Sequence, residues 1–165
     1  MGPHEGGGRV SPSRRSAVAM DDAEVAAFLA AHSRMVVGTF GPDGWPHLVA
    51  VDYAVVDGVP AFVSYARAQK VANLRRDPRI TVLVETGAVY HELRGVALEG
   101  GAQLVDDYDT VLDLSKRVAA AATGSVTLPP FLAGELERIT TRRIAVFVEV
   151  ERTRSWDHSR LGGAW

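Results

Sequence analysis

The chain has 165 residues, 18 basic and 20 acidic side chains and a formal net charge of -2. That length suits one domain, and the near-neutral balance gives no electrostatic case for a nucleic-acid partner. The absence of cysteine excludes disulfides, thiolate metal sites and cysteine nucleophiles. No apolar run reaches the roughly 20 residues of a membrane helix, so the composition predicts a cytoplasmic globular domain with no membrane partner.

Residues 1–18 are rich in Gly, Pro, Ser and Arg, lack an apolar run of signal-peptide length, and read as a flexible N-terminal arm. The domain proper is expected over 19–165. Asp21 opens a helix, since its side chain can accept from backbone amides and Glu24 completes a capping box three residues on. Val25, Phe28 and Leu29 give that helix one apolar stripe, which ends near His32. Residues 35–40 form a strand, and Gly41-Pro-Asp-Gly44 turns the chain. Residues 45–56 read as one long strand, with Leu48, Ala50, Asp52 and Ala54 on one face and Val49, Val51, Tyr53 and Val55 on the other. Asp57-Gly58 is a two-residue hairpin signal, and 59–65 returns as the next strand.

A short helix is expected over 68–76, stopping before Asp77-Pro78 because proline disfavours helix in the residue ahead of it. Residues 79–86 and 93–105 are strands, the second interrupted at Gly100-Gly101, where a bulge is expected. Residues 106–122 read as a helix and 142–152 as the last strand. Six strands joined mostly by hairpins, with helices confined to connections and ends, predict a mainly β (α+β) fold: a six-stranded antiparallel barrel with accessory helices.

Chemistry concentrates in Ser64-Tyr-Ala-Arg-Ala-Gln-Lys-Val-Ala-Asn-Leu-Arg-Arg-Asp-Pro78. A strand ends in two hydroxyls, Ser64 and Tyr65, and Lys70 lies in the first turn of the helix that follows. Free helix amides favour an anion, and a lysine adds a full charge. A phosphate cup and an ordinary solvated loop both fit this stretch. The histidines show no HExxH or HxH spacing. The tail residues Trp156 and Arg160 would suit ring stacking and anion contact, or a hydrophobic clip that closes the barrel.

The whole combination resembles the pyridoxamine 5′-phosphate oxidase-like split β-barrel superfamily, and within it the B-type flavin/deazaflavin oxidoreductases. The resemblance rests on Met35-Val-Val-Gly-Thr-Phe40 with Asp43-Gly-Trp-Pro-His47, on Lys70-Val-Ala-Asn-Leu-Arg-Arg-Asp-Pro78, on Leu93-Arg-Gly-Val-Ala-Leu-Glu-Gly100, and on Ser155-Trp-Asp-His-Ser-Arg-Leu-Gly-Gly163. It implies a split barrel that forms a homodimer with cofactor sites at the interface. It further implies a hydride-transferring oxidoreductase acting on a small organic molecule. In such a protein Ser64, Tyr65, Lys70 and Asn73 hold the cofactor phosphate, Val49, Ala50 and Val51 run along the ring, and Trp156 and Arg160 close the partner's site. Tyr53 and His91 are the substrate-side candidates. Coenzyme F-420 is the implied cofactor, with FMN as the alternative; a non-catalytic cofactor- or haem-binding protein of this fold is the other alternative. The chain departs from the oxidases at Ala68-Gln69, where they carry Ser-Arg, and at Gly95, where they carry a glutamine facing the flavin.

Overall fold

A computed structural model describes residues 14–125 and 129–162. Its elements run α1 (Arg14–Val18), α2 (Asp22–Ala30), β1 (Arg34–Phe40), β2 (Pro46–Asp52), β3 (Ala54–Val56), β4 (Val59–Tyr65), α3 (Gln69–Arg76), β5 (Arg79–Thr86), β6 (Arg94–Val105), α4 (Tyr108–Thr123), α5 (Pro130–Thr140) and β7 (Arg143–Asp157). All strands belong to one antiparallel sheet in the order β2-β1-β5-β6-β7-β4-β3. Its two edges, β2 and β3, are separated in the chain by Tyr53 alone. The sheet therefore curls until its edges nearly meet. Antiparallel strands of this kind close into a barrel because each strand twists relative to its neighbour.

The strand count is seven, where the sequence predicts six. The expected strand over 45–56 breaks at Tyr53, because the chain stops pairing with β1 and begins pairing with β4. At the break the Tyr53 amide donates to the Ser33 carbonyl. The other local signals take the expected form. Asp21 and Glu24 form the capping box of α2. Asp57 and Gly58 both adopt positive φ, 51° and 81°, in the β3–β4 hairpin. The bulge lies between Glu99 and Gly100, where a Cβ on Gly100 would sit 1.9 Å from the Glu149 carbonyl oxygen.

The barrel interior holds Met35, Val37, Phe62, Ile80, Val82, Val84, Val96, Leu98, Val146 and Val148. A smaller cluster on the outer face packs Ala54, Ala61 and Ala145 beneath Val111 and Leu114 of α4. Val49, Val51 and Val55 turn inward against the main core. The outer face of β1–β2 is left bare: Val36, Phe40 and Leu48 are exposed there, with Leu48 lying over Gly38 across the ladder. Of the N-terminal arm, residues 1–13 lie outside the described residues, and Arg14–Val18 is helical with Val18 buried.

Candidate functional site

Strand β4 delivers Ser64 and Tyr65 to the start of α3. Successive strand residues point to opposite faces, and the pair obeys this: Ser64 is 6% exposed and Tyr65 is 55% exposed. The two hydroxyls therefore do not share one cup. Ser64 faces inward and accepts a hydrogen bond from Lys70 Nζ at 3.2 Å. Tyr65 faces outward, where the Arg143 guanidinium carbon stands 5.0 Å from its ring centroid. The β4–β7 register explains the contact, because Tyr65 and Arg143 are directly paired.

Lys70 is half-buried, and among the described residues no carboxylate pairs with it. Burial pushes its ammonium below the ordinary lysine value. The N-cap of α3 is Ala68, which offers no side-chain acceptor to the first helical amides. A cavity of about 460 Å³ opens beside this terminus, lined by Tyr65, Ala66, Arg67, Thr141 and Arg142. Arg67 and Arg142 are exposed there and, among the described residues, form no ion pair. The uncapped amides and two guanidinium groups beside this cavity offer donors to an anion such as a phosphate ester, and the half-buried Lys70 ammonium, bonded to the inward-facing Ser64, lies in the first turn of the same helix.

Beyond Tyr65 the outer face continues as a groove of about 370 Å³. Its floor is Ala50, Val51 and Asp52 of β2, Val63 of β4 and Arg143 of β7. Its roof is Ser115, Val118, Ala119 and Ala122 of α4 with Leu136 of α5. Asp52, Ser115 and Arg143 apart, the lining is apolar and made largely of small side chains, which suits a flat ring. Among the described residues, the buried Arg143 Nε has no hydrogen-bond partner, and neither has His47 Nδ1. His47 lines a separate cavity of about 310 Å³ between the β1–β2 turn and α3.

The predicted site residues fall into separate groups. Ala50 lines the groove on the outer face, while Val49 and Val51 pack against the inner core and Val51 also borders the groove. Asn73 is fully buried: its Nδ2 donates to Thr39 Oγ1 at 3.0 Å, and its Oδ1 accepts from Gln69 at 2.8 Å. It ties α3 to β1 rather than presenting its amide to the cavity. Tyr53 corrects the substrate-side reading. It is fully buried and donates to the Leu29 carbonyl at 2.6 Å, and burial pushes its phenol up to about 12.

Trp156, Arg160 and His91 gather at the far end of β7. The Trp156 indole lies on Gly95, its cross-strand partner, where a Cβ would come within 2.3 Å of it. Arg160 donates to the Ala19 carbonyl at 2.6 Å and pairs with Glu24. His91 sits exposed in a 3-10 turn (Tyr90–Glu92) whose Tyr90 ring packs on His158. Ile144 pairs with Ser64, and Trp156 lies twelve residues further along the strand. That separation is roughly 40 Å of contour at about 3.3 Å per residue. Trp156 and the Ser64–Lys70 pair thus stand toward opposite ends of β7.

The sequence reading did not single out Arg142, Arg143 or the α4 wall. Their only signal was the basic pair opening the last strand, and its alignment with Tyr65 depends on pairing across the barrel. Among the described residues, no group of acidic or histidine side chains could hold a metal ion, and no helix is long and apolar enough to cross a membrane.

A sequence profile of a family described as pyridoxamine 5′-phosphate oxidase matches residues 21–157. A conserved hypothetical protein from Mycobacterium tuberculosis is 36% identical, with a TM-score of 0.83 over 93% of this chain and 95% of that one. An F-420 reductase shares the fold at 20% identity and a TM-score of 0.61, over 77% of this chain and 93% of that one. So does a FAD-binding protein from Mesorhizobium loti, at 16% identity and 0.62, over 83% and 94%. No curated protein matches the chain.

Proposed function

The chain belongs to the pyridoxamine 5′-phosphate oxidase family, and from that premise we propose that it is an oxidoreductase that binds a phosphate-bearing deazaflavin or flavin and reduces or oxidises a small organic molecule. The observation that carries this reading is Lys70, a half-buried ammonium without a carboxylate at an uncapped helix start. An uncompensated charge in such a place is costly unless a ligand answers it.

Lys70 and the first amides of α3 hold the phosphate. Ala50, Val51 and Val63 seat the ring, and α4 keeps water from its covered side. The bound cofactor supplies the hydride chemistry, and the protein supplies position and charge. F-420 is favoured over FMN because the two unpaired arginines beside the cavity exceed what one phosphate needs. An oligoglutamate tail would use them. A second copy completes the site. The bare apolar face of Val36, Phe40 and Leu48 is the docking surface, and docking brings the partner's tail toward the groove.

Titration of F-420 and FMN into the purified protein, followed by fluorescence and the visible spectrum, tests the reading. Saturable binding with preference for F-420 is the expected result. A Soret band in the purified protein, or failure of both ligands to bind, overturns it.

A further inference from the structure

Arg143 opens β7 opposite Tyr65 and lines the groove together with Val63 and Asp52. Among the described residues its buried Nε has no hydrogen-bond partner. On the groove wall Asp52 pairs with Arg34 at 2.9 Å and the Ser115 hydroxyl donates to the Val111 carbonyl at 2.7 Å; among the described residues neither accepts from Arg143 Nε. The guanidinium plane is held by stacking on Tyr65. A buried donor without an acceptor weakens the ligand-free protein, and Arg143 lines a cavity of about 370 Å³ whose other lining residues, Asp52 and Ser115 apart, are apolar.

We infer that Arg143 is a specificity-determining residue that donates from Nε to an acceptor atom, a carbonyl oxygen or ring nitrogen, on the edge of a flat heterocycle seated between β2 and α4. This rests on the functional reading above and assigns the ring end of that ligand, as Lys70 assigns its phosphate end. The fixed, planar fork of arginine suits such an edge, and the compact ammonium of lysine would not reproduce it.

The test uses Arg143→Met and Arg143→Lys, with Lys70→Met as a control, and three probes: riboflavin, which has the ring without phosphate, FMN and F-420. Dissociation constants and melting temperatures are both read. Arg143→Met should bind every probe, riboflavin included, at least about tenfold more weakly, the loss expected for one buried hydrogen bond to a charged donor. Arg143→Lys should recover little of this. The ligand-free Arg143→Met protein should melt no lower than the wild type, because the unsatisfied donor is gone. Lys70→Met should weaken FMN and F-420 but spare riboflavin. Loss of FMN binding with riboflavin unchanged would put Arg143 at the phosphate and overturn the assignment. A lower melting temperature with all affinities intact would make it structural and overturn it equally. A wild-type protein that binds none of the probes refutes the functional reading itself, and the assignment falls with it.

Discussion

Lys70→Met separates the two things a half-buried lysine can do. In the folded protein its ammonium has one partner, the Ser64 hydroxyl at 3.2 Å. Replacing it removes that hydrogen bond and also removes an uncompensated buried charge, two effects of opposite sign. The ligand-free variant should therefore stay within about 1 kcal/mol of the wild type, a melting shift of no more than about 2–4 °C for a domain of this size. Affinity for a phosphate-bearing cofactor should fall far more. A charge-assisted hydrogen bond is worth about 1.5–3 kcal/mol, or roughly 10- to 150-fold in the dissociation constant.

A pH signature accompanies this. Burial lowers the folded-state value of Lys70 below the ordinary 10.5. Between the two values the unfolded chain binds more protons, so stability rises with pH across that window. The variant should lose this alkaline rise. The assay is a titration calorimetry series at neutral pH with thermal melts from neutral to alkaline pH. Arg75→Ala is the comparison, since Arg75 lies in the last turn of α3 and donates to the Ala66 carbonyl at 2.9 Å. Equal loss of affinity in Lys70→Met and Arg75→Ala, or none in either, would refute the placement of the phosphate.

Three further outcomes are expected. Gly95→Ala places a methyl group against the Trp156 indole and should cost about 1–3 kcal/mol; adding Trp156→Ala should recover part of that loss, as read by a double-mutant cycle of melting temperatures. Leu48→Asp, on the bare outer face, should yield monomers by light scattering where the wild type gives dimers, and a variant that stays dimeric would move the interface elsewhere. Asp157 is held below the ordinary carboxylate value, since burial opposes its charge but the Ser159 hydrogen bonds and the Arg94 and Arg160 charges outweigh it. Its stabilising contribution is present above the unfolded value of about 3.9 and is lost as pH falls through the lower folded one, so Asp157→Asn should melt lower at neutral pH and lose less on acidification.

Much of the barrel was legible because its decisive signals are local. Asp21 with Glu24, Asp57-Gly58 and Gly100-Gly101 each act within a few residues, and each produced the cap, turn or bulge expected. Lys70 was legible for the same reason, as a charge in the first turn of a helix. What failed to show depended on contacts across the barrel. Nothing near Tyr53 in the chain announces that its strand changes partners there. Arg143 meets Tyr65 through a register that joins positions 78 residues apart. Trp156 covers Gly95 by the same kind of pairing. Ser64 and Tyr65 are the exception: strand alternation alone separates them, and treating them as one pair of donors ignored a period of two.

The length of β7 has a consequence at the level of genetics. It carries Ile144, the cross-strand partner of Ser64, at one end and Trp156 near the other, so a complete site in the proposed dimer draws its phosphate end and its lid from different polypeptides. A subunit lacking Lys70 and a subunit lacking Trp156 and Arg160 would each be inert as homodimers. Mixed, they assemble one site in which both defects coincide and one in which neither is present. Co-expression of two dead alleles should then restore about half of the binding capacity of each mixed dimer, and a single defective allele should poison only one of the two sites it touches.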